Sequence, residues 1–293
     1  MLVETHDLTK RYGRVTALDR CTLAVAEGEI FGLLGPNGSG KTTLLRLLMG
    51  YLRPTAGSAT IDGFDCYRHS VAVHERVAYL PGEAKLFPQM RGRDVLAFFA
   101  GIRPDGDLQR ARALAERLAL DLSRPVSQMS TGMRQKTALA AVLSSSAPLL
   151  ILDEPTTNLD PTARSEVLAI VSEAKAAGKT ILFSSHVLGE VEETCDRVVI
   201  LRRGEVVHEQ LMHELRRQHR IRARLTGPLP PTPEHFNGAL QVTQPTASDV
   251  LIDTPGELGP LLGWLATAPL AEVRIEPGRL QTVYERFHGG THS

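Results

Sequence analysis

A short segment of this 293-residue chain surrounds one lysine with small residues. It follows an apolar run, "EIFGLLG", and precedes "TTLLRLLMGYL", whose apolar residues have helical spacing. Glycines let successive backbone N–H groups turn inward, and a helix N-terminus adds its dipole, so this arrangement suits a phosphate group. The predicted phosphate-binding residues are Gly35, Pro36, Asn37, Gly38, Ser39, Gly40, Lys41, Thr42 and Thr43.

Two adjacent acids, Asp153 and Glu154, end a second apolar run in "LLILDEP". Acids at the end of a buried strand are costly unless they meet a cation or a reacting group, although a solvated strand end is the alternative. The earlier segment fits G-x-x-x-x-G-K-[ST], the phosphate loop of nucleotide-hydrolysing enzymes. We therefore predict that Thr42 and Asp153 hold Mg²⁺, and that Glu154 polarises the water that attacks ATP.

The elements that position these residues follow from the hydrophobic pattern. Short alternating runs up to about residue 63 predict strands joined by tight turns, and helical spacing prevails from about residue 90 to 143. Beyond residue 147, apolar runs alternate with helical segments, which predicts an α/β fold with a parallel sheet.

The composition changes near residue 216, where a basic stretch leads into the proline-rich "TGPLPPTP". A proline-rich segment of this kind predicts a loop, and we place a domain boundary there. The predicted domains are a nucleotide-binding domain at 1–215, with a helical subdomain at about 83–145, and a small α+β accessory or regulatory domain at 216–293. In the second domain, Trp264 is expected in the core rather than in a ligand site.

Charge and cysteine content exclude several classes of function. Lys and Arg total 33 and Asp and Glu total 33, so the chain has no global basic character of the kind that binds nucleic acid. Cys21, Cys66 and Cys195 have no paired spacing and are expected to be buried and reduced. No apolar run reaches the roughly 18 residues of a membrane span, so we expect a soluble chain, which another chain would have to hold in place if it works at a membrane.

The segment "QMSTGMRQ" resembles the signature sequence of ABC ATPases, and the other motifs follow in that family's order over residues 1 to about 215. The resemblance implies a phosphate-loop ATPase core with an antiparallel β subdomain and an inserted helical subdomain. It also implies that Tyr12 stacks on adenine, that Asp160 lies in the loop after the acidic strand, and that His186 contacts the γ-phosphate. The signature positions are Ser130, Thr131, Gly132 and Met133, of which Ser130 is also a predicted helix N-cap.

The same resemblance implies two partners. Two ATPase domains of this family close head to tail, so that the signature of one covers the ATP bound by the other. This chain has one phosphate loop and one signature, so a second copy or a close relative must supply the other half. The second implied partner is a separate transmembrane permease, which would hold the chain at the cytoplasmic face of the cell membrane; nucleic acid is not expected.

Two positions depart from the family pattern. Gly82 stands where a glutamine is usual after "VAYLP", and the adjacent Glu83 is either a substitute at the metal or a solvated side chain. Thr131 stands where the signature usually has glycine, which restricts the backbone. Since neither change touches the phosphate loop or Glu154, we predict that hydrolysis is retained.

The signature style and the appended C-terminal domain resemble bacterial exporters of drugs, antibiotics or similar solutes. The leading hypothesis is therefore the ATPase subunit of an exporter, in which Leu86 and Phe87 either contact the permease or belong to the local core. The alternatives are a soluble ABC ATPase that acts on nucleic acid or ribosomes, and a nucleotide sensor without turnover.

Overall fold

The computed structural model describes residues 1–103, 106–233, 236, 240–246, 248–254 and 258–288. The chain divides into two compact units, Met1–Glu209 and Gln210–Ser293. The division lies a few residues before the expected boundary at 215, so the helix that precedes the basic stretch belongs to the second unit.

The first unit begins with a four-stranded sheet in the order β2-β1-β4-β5. All of its neighbouring strands pair antiparallel, as the short alternating runs and tight turns predict. The strands are β1 (Val3–Tyr12), β2 (Val15–Val25), β4 (Ala56–Ile61) and β5 (Phe64–Asp65).

A six-stranded sheet in the order β10-β9-β3-β8-β7-β6 holds the two apolar runs that precede the phosphate loop and the acid pair. Strand β3 pairs parallel with β8 and β9, and β7 pairs parallel with β6 and β8. Every residue of β3, β7 and β8 is buried, which explains their continuous apolar sequence. The strands are β3 (Ile30–Leu34), β6 (Val77–Leu80), β7 (Leu149–Asp153), β8 (Thr180–Ser185), β9 (Arg197–Arg202) and β10 (Glu205–Leu211).

Seven helices belong to the described part of this unit. Three of them pack on one another as the predicted helical subdomain, in a small core of Val95, Val126 and Met129 that Leu86 and Phe99 partly cover. Leu86 is therefore local core, whereas Phe87 is 47% exposed. The helices are α1 (Lys41–Leu48), α2 (Ser70–Arg76), α3 (Gly92–Gly101), α4 (Leu108–Arg117), α5 (Thr131–Leu143), α6 (Pro161–Ala176) and α7 (Leu188–Thr194).

The second unit is a four-stranded sheet in the order β12-β13-β11-β14, with an apolar core of its own on one face. Trp264 is 7% exposed and packs in this core with Ile221 and Leu261, as expected of a core residue. The elements are α8 (Met212–Arg217), β11 (His219–Leu225), β12 (Gln241–Thr243), β13 (Asp249–Thr254), α9 (Leu258–Leu265), β14 (Leu270–Pro277) and α10 (Leu280–His288).

Two further expectations concern the described chain as a whole. Cys21, Cys66 and Cys195 are buried and form no disulfide among the described residues, and burial raises the pKa of the Cys21 and Cys66 thiols to about 12. Within the described ranges, no helix combines the length and the apolar character that a membrane crossing requires.

Candidate functional site

The phosphate loop connects β3 directly to α1, as the motif predicts. Gly38 and Gly40 have φ of +79° and +111°, a left-handed conformation that side chains other than glycine rarely adopt. A Cβ atom at Gly40 would also lie 2.7 Å from the carbonyl oxygen of Ala17. The sequence therefore needs glycine here both for backbone conformation and for close approach to β2.

Lys41 is 5% exposed, and its ammonium lies inside the loop. Its Nζ donates a hydrogen bond of 2.6 Å to the carbonyl oxygen of Gly35. The first turn of α1 contains no acidic residue, so the helix dipole and the lysine favour the same negative charge. The buried Ser39 hydroxyl has no hydrogen-bond partner, and an unpaired buried group in such a loop is available to a ligand.

Asp153 ends β7 with its carboxylate 2% exposed beside the start of α1. The Thr42 hydroxyl donates to its Oδ2 at 3.1 Å, and the Ser184 hydroxyl donates to its Oδ1 at 2.6 Å. Oxygen ligands from one carboxylate and one hydroxyl fit Mg²⁺, which takes few protein ligands and completes its shell with water and substrate phosphates. Ser184 was not predicted as a site residue, and only its place in "SSH", two residues before His186, pointed to it.

Glu154 has a left-handed backbone with φ +48°, a strained conformation for a non-glycine residue. Its N–H donates to both the carbonyl oxygen and the hydroxyl of Ser184, at 3.1 and 3.0 Å, and these bonds hold the conformation. The carboxylate lies 2.8 Å from Nδ1 of His186 and 3.5 Å from Nζ of Lys41. The strained turn thus brings the predicted base, histidine and phosphate-loop lysine into one cluster.

The signature lies at the start of α5 rather than in this cluster. Ser130 caps the helix, accepting a hydrogen bond from the N–H of Met133 at 3.2 Å, as its sequence position predicts. Thr131 is the first helical residue, and a threonine is compatible with that position. A Cβ atom at Gly132 would lie 2.7 Å from the carbonyl oxygen of Asn158, so only glycine fits there.

Tyr12 and Asp160 each have local structural contacts. Tyr12 ends β1 with 48% of its surface exposed, and Nζ of Lys10 lies 5.1 Å from its ring centroid. Asp160 caps α6, where a hydrogen bond from the N–H of Ala163 lowers the pKa of its carboxyl.

Gly82 lies two residues after the end of β6, beside Asp153. A Cβ atom at Gly82 would lie 3.5 Å from Oδ2 of Asp153, an ordinary van der Waals distance. Gly82 and Glu83 line a groove of about 840 Å³ in the first unit, which extends from Tyr51 to Ile102. Gly82, which stands where the family usually has glutamine, is therefore adjacent to the carboxylate that would hold the metal, and a side chain would fit there.

Residues 18–157 match the family model described as ABC transporter. The chain is 41% identical over 213 residues to the daunorubicin resistance ATP-binding protein DrrA3 of Streptomyces coeruleorubidus, covering 71% of this chain and 67% of the relative. It is 36% identical over 207 residues to the ABC transporter ATP-binding protein NatA of Bacillus subtilis, covering 69% of this chain and 84% of the relative.

Solved structures agree with these relatives. A structure of the ATP-binding subunit of an ABC transporter superposes with a TM-score of 0.67 at 31% identity, covering 74% of this chain and 92% of the other. A dimeric ATP-binding cassette bound to ADP and Pi superposes with a TM-score of 0.66, covering 72% of this chain and 98% of that one, and its 23% identity supports the fold alone.

Proposed function

This chain belongs to the ABC transporter ATP-binding proteins, and on that premise we propose that it drives export of a drug, antibiotic or similar solute through a separate membrane permease. The chain is an ATPase subunit by its family. The observation that supports active turnover in this chain is the cluster in which Glu154 lies within 3.5 Å of both Lys41 and His186. That cluster joins a phosphate-binding group to a carboxylate that can accept a proton.

The roles of the cluster follow from its geometry. The loop N–H groups and Lys41 bind the phosphates, with the Lys41 Nζ leaving the Gly35 carbonyl for phosphate oxygens. Glu154 accepts a hydrogen bond from the attacking water and so orients it toward the γ-phosphate. His186 is proposed to contact the γ-phosphate, and its Nδ1, 2.8 Å from the Glu154 carboxylate, also positions that side chain by donating a hydrogen bond to it.

Thr42 and Asp153 are the residues that would hold the metal. Mg²⁺, when bound, supplies positive charge that stabilises the charge developing on the phosphate oxygens. Ser184 fixes the Asp153 carboxylate by its 2.6 Å hydrogen bond, so that Oδ2 faces the Thr42 hydroxyl. The exposed Glu83 follows Gly82, whose Cβ would lie 3.5 Å from Oδ2 of Asp153, so Glu83 is either a substitute ligand at the metal or a solvated side chain.

The signature explains why a second ATPase domain is needed. Ser130 and Thr131 are exposed at the N-terminus of α5, where helix N–H groups can bind a phosphate. They are not part of the Lys41 cluster of their own chain, so we propose that they close over the ATP of a second copy. Such a dimer is two-fold symmetric and binds two nucleotides between its halves. Tyr12 would stack on adenine, and Asp160 would lie at the dimer contact.

The exporter assignment is supported by the names of two relatives. One is a daunorubicin resistance ATP-binding protein, and another, 35% identical over 219 residues, is the Nod factor export ATP-binding protein I of Ralstonia nicotianae. We propose that the groove beside Gly82 receives a short helix of the permease, and the exposed Phe87 directly follows Leu86, which lines that groove.

The test is to tag the C-terminus, extract native membranes in mild detergent and identify the proteins that copurify. A multi-span membrane protein at equal stoichiometry is expected. Cells that express this chain together with the copurified membrane protein should retain less daunorubicin than cells that express the Glu154→Gln variant with it. Glu27→Gln changes an exposed carboxylate outside the site and is the control, which should export normally. Recovery alone, or with ribosomes or nucleic acid, would overturn the exporter assignment.

A further inference from the structure

The outer strand of the second unit is an edge strand of its sheet. Strand β14 has eight residues and lies at the end of the strand order, where, within the described residues, it pairs only with β11. All its residues from Ala271 to Ile275 are exposed. Proteins usually shorten, cover or repel such an edge, because its unpaired backbone groups can bind another strand.

The two faces of β14 differ in chemistry. Val273 and Ile275 are cross-strand partners of Ala223 and Ile221, so they lie on the face that carries the apolar core. They are nevertheless 44% and 41% exposed, because the helix that covers the centre of the sheet does not cover its edge. The exposed side chains of Val273 and Ile275 therefore form a short apolar margin at the edge of the sheet.

The opposite face carries charges that alternate along the strand: Glu272, Arg274 and Glu276. Arg274 lies directly opposite Arg222 on β11, and like charges at opposite positions destabilise a sheet. Among the described residues neither guanidinium has a hydrogen bond or an ion pair. Within the part of the chain that the structure describes, this pair of exposed arginines therefore lacks an acidic partner.

We propose that β14 pairs antiparallel with β14 of a second copy of this chain, in the register that places Val273 opposite itself. In that register Glu272 faces Arg274 of the other copy, and the same pair forms again by symmetry. Ile275 faces Ala271, which covers the apolar margin. Seven residues overlap, and the prolines at 269 and 277 lie outside the pairing.

The neighbouring registers of the β14–β14 pair are excluded by like charges or by proline. A register centred on Glu272 or on Arg274 places that residue opposite its own copy, and the Arg274-centred register also opposes Glu272 to Glu276. A register centred on Ile275 brings Pro277, which cannot donate to the ladder, opposite Val273. The charge pattern of β14 is thus complementary to that of a second β14 strand that runs antiparallel to it, with Val273 opposite Val273.

This pairing goes beyond the ATP-dependent dimer, because it needs neither nucleotide nor the signature. It commits the ATPase pair to two copies of one chain rather than to a paralogue. The full chain is expected to be dimeric by light scattering in EDTA without nucleotide. Arg274→Glu should weaken this dimer at least about tenfold, because two attractive pairs become repulsive.

The same variant separates dimer loss from misfolding. Within one chain, Arg274→Glu replaces the Arg222–Arg274 repulsion by an attraction, so the monomer should keep the native circular dichroism spectrum and a cooperative unfolding transition. The double variant E272R/R274E restores opposite charges across the two-fold axis, and we expect the dimer to return. A monomer in the unmodified chain, or a dimer that survives Arg274→Glu, would overturn the pairing.

A disulfide tests the register. Val273→Cys should form a covalent dimer under mild oxidation, because the two copies of residue 273 face each other. Val242→Cys, an equally exposed position on the other edge strand β12, is the matched control and should not. Crosslinking of both variants alike would contradict the pairing. Loss of the β14 dimer should leave ATP-dependent closure intact. A negative result for the β14 pairing would therefore not count against the proposed ATPase function, and the reverse also holds.

Discussion

Nδ1 of His186 lies 2.8 Å from Oε2 of Glu154, and the other oxygen of the same carboxylate lies 3.5 Å from Nζ of Lys41. One carboxylate thus connects the end of β8 with the start of α1. Since the backbone of Glu154 is held in a left-handed turn by Ser184, the position of this carboxylate is fixed from two sides. The turn places a proton acceptor beside the phosphate loop.

Glu154→Gln should lower kcat by about 10²- to 10⁴-fold while leaving ATP binding intact, because the amide keeps the size of the side chain but accepts protons poorly. The measurement is phosphate release, with nucleotide binding assayed in parallel. Glu27→Gln is the matched control and should hydrolyse ATP at the unmodified rate. If Glu154→Gln keeps more than about a tenth of the activity, another group must act as the base.

Much of this site follows from local sequence signals. The phosphate loop, the strand before Asp153 and the Ser130 cap each depend on neighbours in the chain, so pattern and spacing predict them. The left-handed turn at Glu154 and the two contacts of Ser184 do not, because they join strands that are distant in sequence. For Leu86 the sequence leaves both a permease contact and local core open, and the tertiary packing places it against a core.

In the second unit, too, some features follow from local sequence and others depend on tertiary contacts. Trp264 is predictable as core because it lies in an apolar segment, and alternation in "HRIRARL" is typical of a half-buried strand. The register that opposes Arg222 to Arg274 is not predictable from either strand alone. Strand pairing depends on the whole sheet, and a shift by one residue would exchange its faces.

Gly82→Gln should fold normally and lower the Mg²⁺ concentration needed for half-maximal ATPase activity. The space next to Gly82 accepts a Cβ at 3.5 Å from Asp153, and a glutamine oxygen there adds a ligand that suits Mg²⁺. The free energy of unfolding should change by no more than about 0.5 kcal/mol. The measurement is an Mg²⁺ titration of initial rates.

Gly101→Gln is the control for this substitution, because its Cβ would meet no atom within 4 Å and it lies outside the site. Its Mg²⁺ dependence should match the unmodified chain. An unchanged titration in Gly82→Gln would mean that this position does not reach the metal.

The buried thiols predict a loss of stability at alkaline pH. Burial raises the pKa of Cys21 and Cys66 to about 12 in the folded chain, whereas an unfolded thiol titrates near 8.5. Below about pH 8.5 both states are protonated, and above it only the unfolded state ionises, so stability falls as pH rises toward 12. Urea unfolding at a series of pH values measures this slope.

The double variant C21A/C66A should flatten the alkaline slope, although its stability at neutral pH is lower because the side chains are smaller. In the native chain at pH 8, roughly one thiol in 10⁴ at these two sites is ionised, so maleimide labelling should be slow until urea is added. Rapid native labelling of Cys21 or Cys66 would contradict their burial.

The single tryptophan of the chain reports on the second unit alone. Trp264 lies in the core with Leu265, which is 3% exposed, and that core contains no residue of the first unit. Leu265→Ala should lower the free energy of unfolding seen by tryptophan fluorescence by about 2–5 kcal/mol, through lost burial and a cavity.

Leu139→Ala removes an equally buried leucine from α5 in the first unit and serves as the matched control. The helices of the first unit dominate the circular dichroism signal, so this variant should shift the unfolding transition seen by circular dichroism. Because each unit has its own core, the transition seen by tryptophan fluorescence should not move. If both variants move both transitions equally, the two units unfold as one cooperative body and the separate-core argument fails.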